Sequence, residues 1–135
     1  MNITQESDYA IRAVLILTNN NEVLDANSIS RIGNIPIRFL LKLLGKLVKA
    51  GIVKSYRGVN GGYKLNKEPK AVNLKMIIEE IEGNIAINRC LFDPEACNTK
   101  MNDNCCIHRA LCNVQEKLSH ELESINFEDL KNGVW

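Results

Sequence analysis

Residues 35–65 read IPIRFLLKLLGKLVKAGIVKSYRGVNGGYKL and contain the strongest indications of secondary structure in the chain. Pro36 suits the first turn of a helix, where a missing backbone N–H costs little, and Gly51 is a typical C-terminal cap. Between them, apolar side chains recur at helical spacing, at Phe39, Leu40, Leu43, Leu44, Leu47 and Val48. Short strand-forming runs on either side of the glycine-rich loop 57–62 predict a β-hairpin directly after this helix.

The chain before this stretch predicts two further helices. Thr4 or Ser7 can cap the first of them, and Asp25 or Asn27 can cap the second, which is short. A Gly-Asn pair then forms a tight turn before the third helix. Two helices joined by a tight turn and followed by a hairpin predict a winged helix-turn-helix domain over residues 1–83, mainly α with one small β-hairpin.

The second half of the chain holds two more predicted helices around an irregular segment. Asn73 can cap a helix that Gly83 ends, whereas residues 84–104 show no clear period and form a cysteine-containing loop. We predict a long last helix from near residue 103, in a third region, 105–135, which ends in a C-terminal tail. Apolar residues recur along this helix at Ile107, Leu111, Val114, Leu118, Leu122 and Ile125. Such a stripe is either plain core or, as we predict, the interface of a homodimer, because one short domain is too small to cover it.

Composition and charge narrow the class of protein. The 135-residue chain is 45% apolar, which suits one folded domain with an extension, and it has no apolar run of the ~20 residues that span a bilayer. Its first residues lack the basic-then-apolar pattern of a signal peptide, so we expect a cytoplasmic protein with no membrane partner. Residues 1–70 carry eleven Lys and Arg against five Asp and Glu, whereas residues 71–135 carry six against eleven. The basic half can therefore bind a polyanion.

The basic residues of the winged helix-turn-helix favour double-stranded DNA as that polyanion. The start of the third helix would enter the major groove, and the wing would reach the minor groove, which attracts Arg. The candidate DNA-binding residues are Arg38 and Lys42 on the helix, Arg57 and Asn60 in the wing loop, and Lys54 and Lys64 on the strands. Leu41 stands where a polar, base-reading side chain is expected. The alternative is an ordinary solvated surface.

The cysteines form a compact group in the sequence. All five fall within residues 90–112, an odd number in a short segment, which argues against a structural disulfide framework. Three thiolates from one loop, Cys90, Cys97 and Cys105, can converge on an iron–sulfur cluster. Cys106 is a spare thiol or an alternative ligand, and Cys112 is a small core or interface residue. The spacing does not follow the paired CxxC pattern of a zinc ribbon.

Two segments resemble a known family. The wing sequence RGVNGGYKL (residues 57–65) looks like the R-G-x-x-G-G-Y-x-L wing of the bacterial IscR/NsrR family of transcription regulators. The sequence SDYAIRA (residues 7–13) resembles the first helix of that family. The resemblance covers nearly the whole chain. It implies a dimeric winged-helix repressor or activator that carries an iron–sulfur cluster or a thiol sensor beside its DNA-binding domain.

The resemblance also implies cluster ligands. In the family the last helix is followed by a T-L-x-x-L segment, which residues 126–130 resemble. Counting back from this segment without gaps places the third cysteine ligand at Cys105 rather than Cys106. His108 then holds the position of the histidine that completes a 2Fe–2S cluster in IscR-like members. Asp8 holds the position of an aspartate that reaches a 4Fe–4S cluster from the other subunit in NsrR-like members. We favour 4Fe–4S through Asp8 and keep 2Fe–2S through His108 as the alternative.

The function that we predict is that of a homodimeric repressor. An iron–sulfur cluster that senses iron–sulfur status, redox state or nitric oxide would control its binding to a two-fold symmetric promoter site. One alternative is a cluster-free regulator of the same fold that senses redox state through cysteine thiols. Another is a partner-interaction module with structural zinc. An enzyme is disfavoured, because the sequence holds neither a phosphate-binding loop nor a Ser/His/Asp set.

Overall fold

The computed structural model describes residues 2–101 and 104–135, and it is mainly helical with one antiparallel hairpin, as predicted. The helices are α1 (Gln5–Asn19), α2 (Ala26–Gly33), α3 (Ile37–Lys49), α4 (Leu74–Glu82), α5 (Arg89–Phe92), α6 (Cys106–Ser124) and α7 (Phe127–Lys131). The strands are β1 (Val53–Tyr56) and β2 (Gly62–Leu65). Single turns of 3-10 helix at Pro69–Ala71 and Pro94–Ala96 lie in the connections.

Three helices begin at capping residues that the sequence predicted. Thr4 Oγ accepts the backbone N–H of Ser7 at the start of α1, and the Asp25 carboxylate accepts that of Ser28 at the start of α2. Hydrogen bonds from the hydroxyl and the backbone N–H of Ser28 hold the pKa of the Asp25 carboxyl below its ordinary value. Asn73 caps α4 in the same way. Each cap provides a partner for an N–H that no helical carbonyl can reach.

The core lies where α1 packs against α3 and α4. The buried face of α3 consists of four leucines, Leu40, Leu43, Leu44 and Leu47. Phe39, which the sequence analysis placed with this apolar stripe, is instead 45% exposed. The buried residues recur at steps of three and four, so Phe39 falls at the edge of their face. There its ring lies 6.4 Å from the ring of Tyr9, measured between centroids.

The hairpin is tied to the connection between α1 and α2. The Tyr63 N–H donates to Leu24 O at 2.7 Å, and the Leu24 N–H donates to Tyr63 O at 3.0 Å. Gly62 has a φ of +154°, and a Cβ at this position would lie 2.2 Å from Leu24 O. Glycine is therefore required where the wing meets this connection, because any side chain would collide with the backbone.

The chain after α6 returns to the core. Phe127, the first residue of α7, is completely buried, and its N–H donates to Val72 O at 2.9 Å. The sequence analysis predicted only a tail here and did not predict α7. Ile125 was also predicted to lie on the stripe of the long helix, whereas α6 ends at Ser124 and Ile125 is its C-cap, with extended backbone. The chain leaves the helical path there so that Phe127 can enter the core.

The long helix α6 lies mostly in solvent. It begins at Cys106, with Cys105 at the N-cap position; its predicted start at Asp103 lies outside the described residues. None of the residues of α6 is buried, and Ile107 and Val114 are 64% and 51% exposed. Over the part of the chain that the structure describes, every helix is too short or too polar to cross a membrane.

Candidate DNA-binding surface and cysteine site

The outer face of α3 is basic. Arg38, Lys42 and Lys49 are exposed on the side of the helix opposite the buried leucines. Glu6 of α1 lies 3.3 Å from Lys42 and 3.9 Å from Lys46, measured from carboxylate oxygen to Nζ. One carboxylate therefore faces two ammonium groups, and the face keeps a net positive charge. These pairs are solvent-exposed and weak, so a phosphate group can compete for the lysines.

The hairpin carries a second basic surface. Lys54 and Lys64 stand directly opposite each other in the strand register, and like charges in this arrangement destabilise a sheet. Lys54 Nζ also lies 5.4 Å from the centroid of the Tyr56 ring. Arg57 and Asn60 are exposed in the loop between the strands. An anionic partner would relieve the repulsion between the two lysines.

Three cysteines and a histidine line one cavity. The cavity has a volume of about 250 Å³, and its lining includes Cys90, Cys97, Cys105 and His108. The structure thus brings together the three predicted cysteine ligands and one of the two predicted fourth ligands. Across residues 2–101 and 104–135, no three His, Cys, Asp or Glu side chains are arranged to hold a single metal ion. An iron–sulfur cluster makes a different demand, since its ligands are distributed over two or four iron atoms.

His108 lies between two thiols. Its Nδ1 is 3.4 Å from Cys90 Sγ, and its Nε2 is 3.5 Å from Cys112 Sγ. Cys112 follows His108 by four residues, so both side chains lie on one face of α6. The sequence analysis treated Cys112 as a core or interface residue and missed this contact. The four-residue spacing on a predicted helix was the available signal.

The other two candidate ligands lie elsewhere in the described chain. Cys106, the first residue of α6, is exposed and is not among the residues that line the cavity. Asp8 is exposed on α1, where its carboxylate forms an ion pair with Arg12. Arg12 also donates to Gly33 O at 2.8 Å, so the pair joins α1 to the end of α2. Within one chain, therefore, Asp8 is held beside the helix-turn-helix and not beside the cysteines.

Glu82, the last residue of α4, caps the start of α1 from across the fold. Its carboxylate accepts the Thr4 N–H at 2.9 Å and the Thr4 hydroxyl at 2.8 Å, and it also accepts the Ser7 hydroxyl. Burial raises the pKa of the Glu82 carboxyl, but the hydrogen bonds from Ser7 and Thr4 outweigh burial and hold that pKa below its ordinary value. The segment that leads to Cys90 thus begins at a fixed point on α1.

Gln115 of α6 holds the same segment further along. Its Oε1 accepts the Ile87 N–H at 2.8 Å, and its Nε2 donates to Ile85 O at 2.6 Å. The approach to Cys90 is therefore fixed to α6 as well as to α1. Neither Glu82 nor Gln115 could be identified from the sequence, because partners this far apart along the chain leave no local pattern.

One face of α6 keeps much of its apolar area exposed. Ile107 and Val114 are exposed. The three leucines that the sequence assigned to the dimer interface, Leu111, Leu118 and Leu122, are only half-buried. An apolar stripe of this length on the surface of a small domain is typical of a protein interface.

Comparison with known proteins decides the family. The family model for Rrf2, described as an iron-dependent transcriptional regulator, matches residues 3–133. The chain belongs to the Rrf2 family. This Rrf2 chain is 29% identical to the HTH-type transcriptional regulator NsrR of Bacillus licheniformis over 126 aligned residues. The alignment covers 92% of this chain and 82% of that protein.

Solved structures share the fold. The structure of CymR, the global cysteine regulator of B. subtilis, superposes on this chain with a TM-score of 0.76 at 26% sequence identity. The superposition covers 98% of this chain and 97% of the CymR chain. T. potens IscR has a TM-score of 0.76 at 23% identity and covers 100% of this chain and 89% of its own. The predicted family and winged-helix fold are therefore confirmed, and this Rrf2 protein is a DNA-binding transcription regulator and not an enzyme.

Proposed function

We propose that this Rrf2 protein is a cytoplasmic homodimeric repressor whose binding to a two-fold symmetric promoter site is controlled by an iron–sulfur cluster. The observation that carries the proposal is the cavity lined by Cys90, Cys97, Cys105 and His108. Thiolate is the usual ligand of such clusters, and here the three cysteines come from the short helix α5, the segment after it and the N-cap of α6. The NsrR relative and the family description, iron-dependent, support the same reading.

The fourth ligand decides the cluster type. His108 already lines the cavity with the cysteines, which supports a ligand set from one chain and a 2Fe–2S cluster. Asp8 would have to leave Arg12 and reach the cavity of the other subunit, which is the arrangement that supports 4Fe–4S. The geometry within one chain thus gives His108 the stronger position, whereas the sequence favoured Asp8.

The route from the cavity to the DNA-binding elements runs through hydrogen bonds of this chain. Gln115 holds the segment before Cys90 against α6, and Glu82 holds the start of the same segment against α1. When bound, the cluster would link Cys90, Cys97 and Cys105 and thereby fix the loop between them. A loop released from the cavity can move α1 relative to α6. That movement would alter the spacing of the two recognition helices, which the spacing of DNA half-sites must match.

The dimer would form through α6. The fold of one chain leaves the apolar stripe of α6 largely or partly exposed, at Ile107, Leu111, Val114, Leu118 and Leu122. Packing two copies of α6 together would bury this stripe and place two DNA-binding domains about a two-fold axis. Two domains would match a two-fold symmetric promoter site.

A cluster-free thiol regulator is the second candidate. The contacts of His108 with both Cys90 and Cys112 favour it, because an imidazole beside a thiol can promote formation of the reactive thiolate. The similarity to CymR, the global cysteine regulator, supports the same reading. Membership of the regulator family sets aside the third alternative, a zinc-binding partner-interaction module.

Iron and acid-labile sulfide per chain, measured on protein purified without oxygen, separate the two candidates. About two of each support 2Fe–2S with His108, and about four of each support 4Fe–4S with Asp8. Cys97→Ala should abolish the bound iron, whereas Cys106→Ala, outside the cavity, should leave it unchanged. Neither iron nor sulfide in the wild-type protein would contradict the cluster and leave the thiol regulator.

A further inference from the structure

The outer face of α3 carries two residues that do not match its basic character. Leu41 is 48% exposed there, although the leucines on the other side of the helix are completely buried. Gly45 follows Leu41 by one helical turn and is also exposed. Together they form an apolar strip on α3, which we call the Leu41–Gly45 strip. Arg38, Lys42 and Lys49 are exposed beside this strip, on the outward side of α3.

Gly45 has no reason within the chain to be a glycine. It lies in the middle of α3, where glycine costs stability relative to alanine. A Cβ added at this position would meet no atom within 4 Å. Packing of the chain thus does not require glycine here, in contrast to Gly62, where a Cβ would collide with Leu24 O. The remaining physical reason for glycine is the close approach of a ligand to the helix backbone.

The charges around the strip identify the ligand. Lysine and arginine side chains beside the strip suit the phosphate backbone that borders a DNA groove. The α-helix of a helix-turn-helix fits the major groove, and the apolar group exposed there is the C5-methyl group of thymine. An exposed leucine can contact that methyl group but can form no hydrogen bond with a base edge.

We infer that Leu41 specifies thymine by contact with its C5-methyl group, and that Gly45 allows the wall of the major groove to approach α3 closely. The inference rests on the DNA-binding function of the family. It predicts an operator with thymine at a fixed position in each half-site. It also predicts that the discrimination is apolar, so that it persists at high salt while the phosphate contacts weaken.

The test uses DNA selected by the protein itself. The wild-type dimer is first used to enrich sequences from a random duplex library. Each dT of the enriched duplex is then replaced singly by dU, which removes only the methyl group, and the Kd is measured by fluorescence anisotropy. For wild-type protein, replacing dT by dU at one position of a half-site, or at the equivalent position of the other half-site, should weaken binding about fourfold. Leu41→Ala should bind the dT and dU duplexes equally, whereas the control Lys42→Ala should weaken both and keep the fourfold ratio.

Three results would overturn the assignment of Leu41. The first is that the wild type binds every dU duplex as tightly as the dT duplex, and the second is that Leu41→Ala loses as much affinity as the wild type when dT is replaced by dU. The third is a change of oligomeric state in Leu41→Ala, which would indicate that a second copy of the chain covers the strip. Failure to enrich any sequence would instead contradict sequence-specific DNA binding as a whole, so the two failures are distinguishable.

Gly45→Ala provides an independent readout because its two expected effects have opposite signs. Alanine is the better helix former, so the Tm should rise by about 4 °C at equal protein concentration. DNA affinity should fall, since the new methyl group occupies the space that the groove wall needs. A rise in Tm with unchanged affinity would overturn the role of Gly45.

Discussion

Substitution of Phe127 measures how much the packing of the C-terminal segment against the DNA-binding domain contributes to the free energy of unfolding. Its ring is completely buried in the core, although the residue lies beyond the exposed helix α6. Phe127→Ala would leave a cavity among α1, α7 and the segment around Val72 that these elements cannot fill. We expect a loss of about 3–5 kcal/mol in the free energy of unfolding. Phe127→Leu keeps most of the volume and should lose only about 1 kcal/mol.

Urea unfolding followed by circular dichroism measures these losses. All variants must be compared at one protein concentration, because the stability of a dimer depends on it. Lys131→Ala, at an exposed position on the same helix α7, is the matched control and should stay within about 0.5 kcal/mol of the wild type. A loss below about 1 kcal/mol for Phe127→Ala, with an unchanged m value, would refute the argument from burial.

Three further predictions concern charge and assembly. Because the native pKa of the Glu82 carboxyl is lowered, the stability it contributes is present above its ordinary pKa and is lost as the pH falls through the native value. The difference in unfolding free energy between wild type and Glu82→Gln should therefore be present at pH 7 and shrink as the pH falls through the native pKa of Glu82; a constant difference would contradict this. Lys54→Ala removes a like charge opposite Lys64, so thermal melts should show equal or higher stability. In the proposed homodimer it also removes one phosphate contact per subunit, so the slope of log K against log salt should become shallower by about 1.8. An unchanged slope would exclude a Lys54 contact with phosphate. Val114→Glu should convert dimer to monomer in analytical ultracentrifugation, whereas the exposed polar exchange Glu116→Gln should not, and a dimeric Val114→Glu would contradict the α6 interface.

The local features of the fold could be predicted from the sequence. Thr4, Asp25 and Asn73 cap helices because side-chain oxygen can reach N–H groups two or three residues away, and that contact depends only on neighbouring residues. The hairpin could likewise be predicted from its glycine-rich loop, because a turn also depends only on neighbouring residues. The sequence predicted Cys90 and Cys97 in one irregular loop, whereas the structure places Cys90 in the short helix α5; both still line one cavity.

Long-range contacts could not be predicted in this way. Phe127 looked like part of a tail, because the sequence does not show that the chain turns back to α1 after Ile125. Glu82 and Gln115 are unremarkable helix residues until the fold brings α1 and α6 beside the segment before Cys90. The predicted ligand and DNA-contact residues stay predictions, since their partners are a cluster, a second chain and DNA.

The most direct test of cluster control is the affinity of one protein sample for its operator before and after the cluster is removed. Protein purified without oxygen is titrated against the library-selected duplex by fluorescence anisotropy, and the titration is repeated after anaerobic removal of iron with a chelator. We predict that affinity falls by a factor between about 5 and 150 on removal, the usual range of coupling between two sites. Cys97→Ala should bind with the lower affinity from the outset. Equal affinity of the loaded and iron-free wild type would contradict control of DNA binding by a cluster.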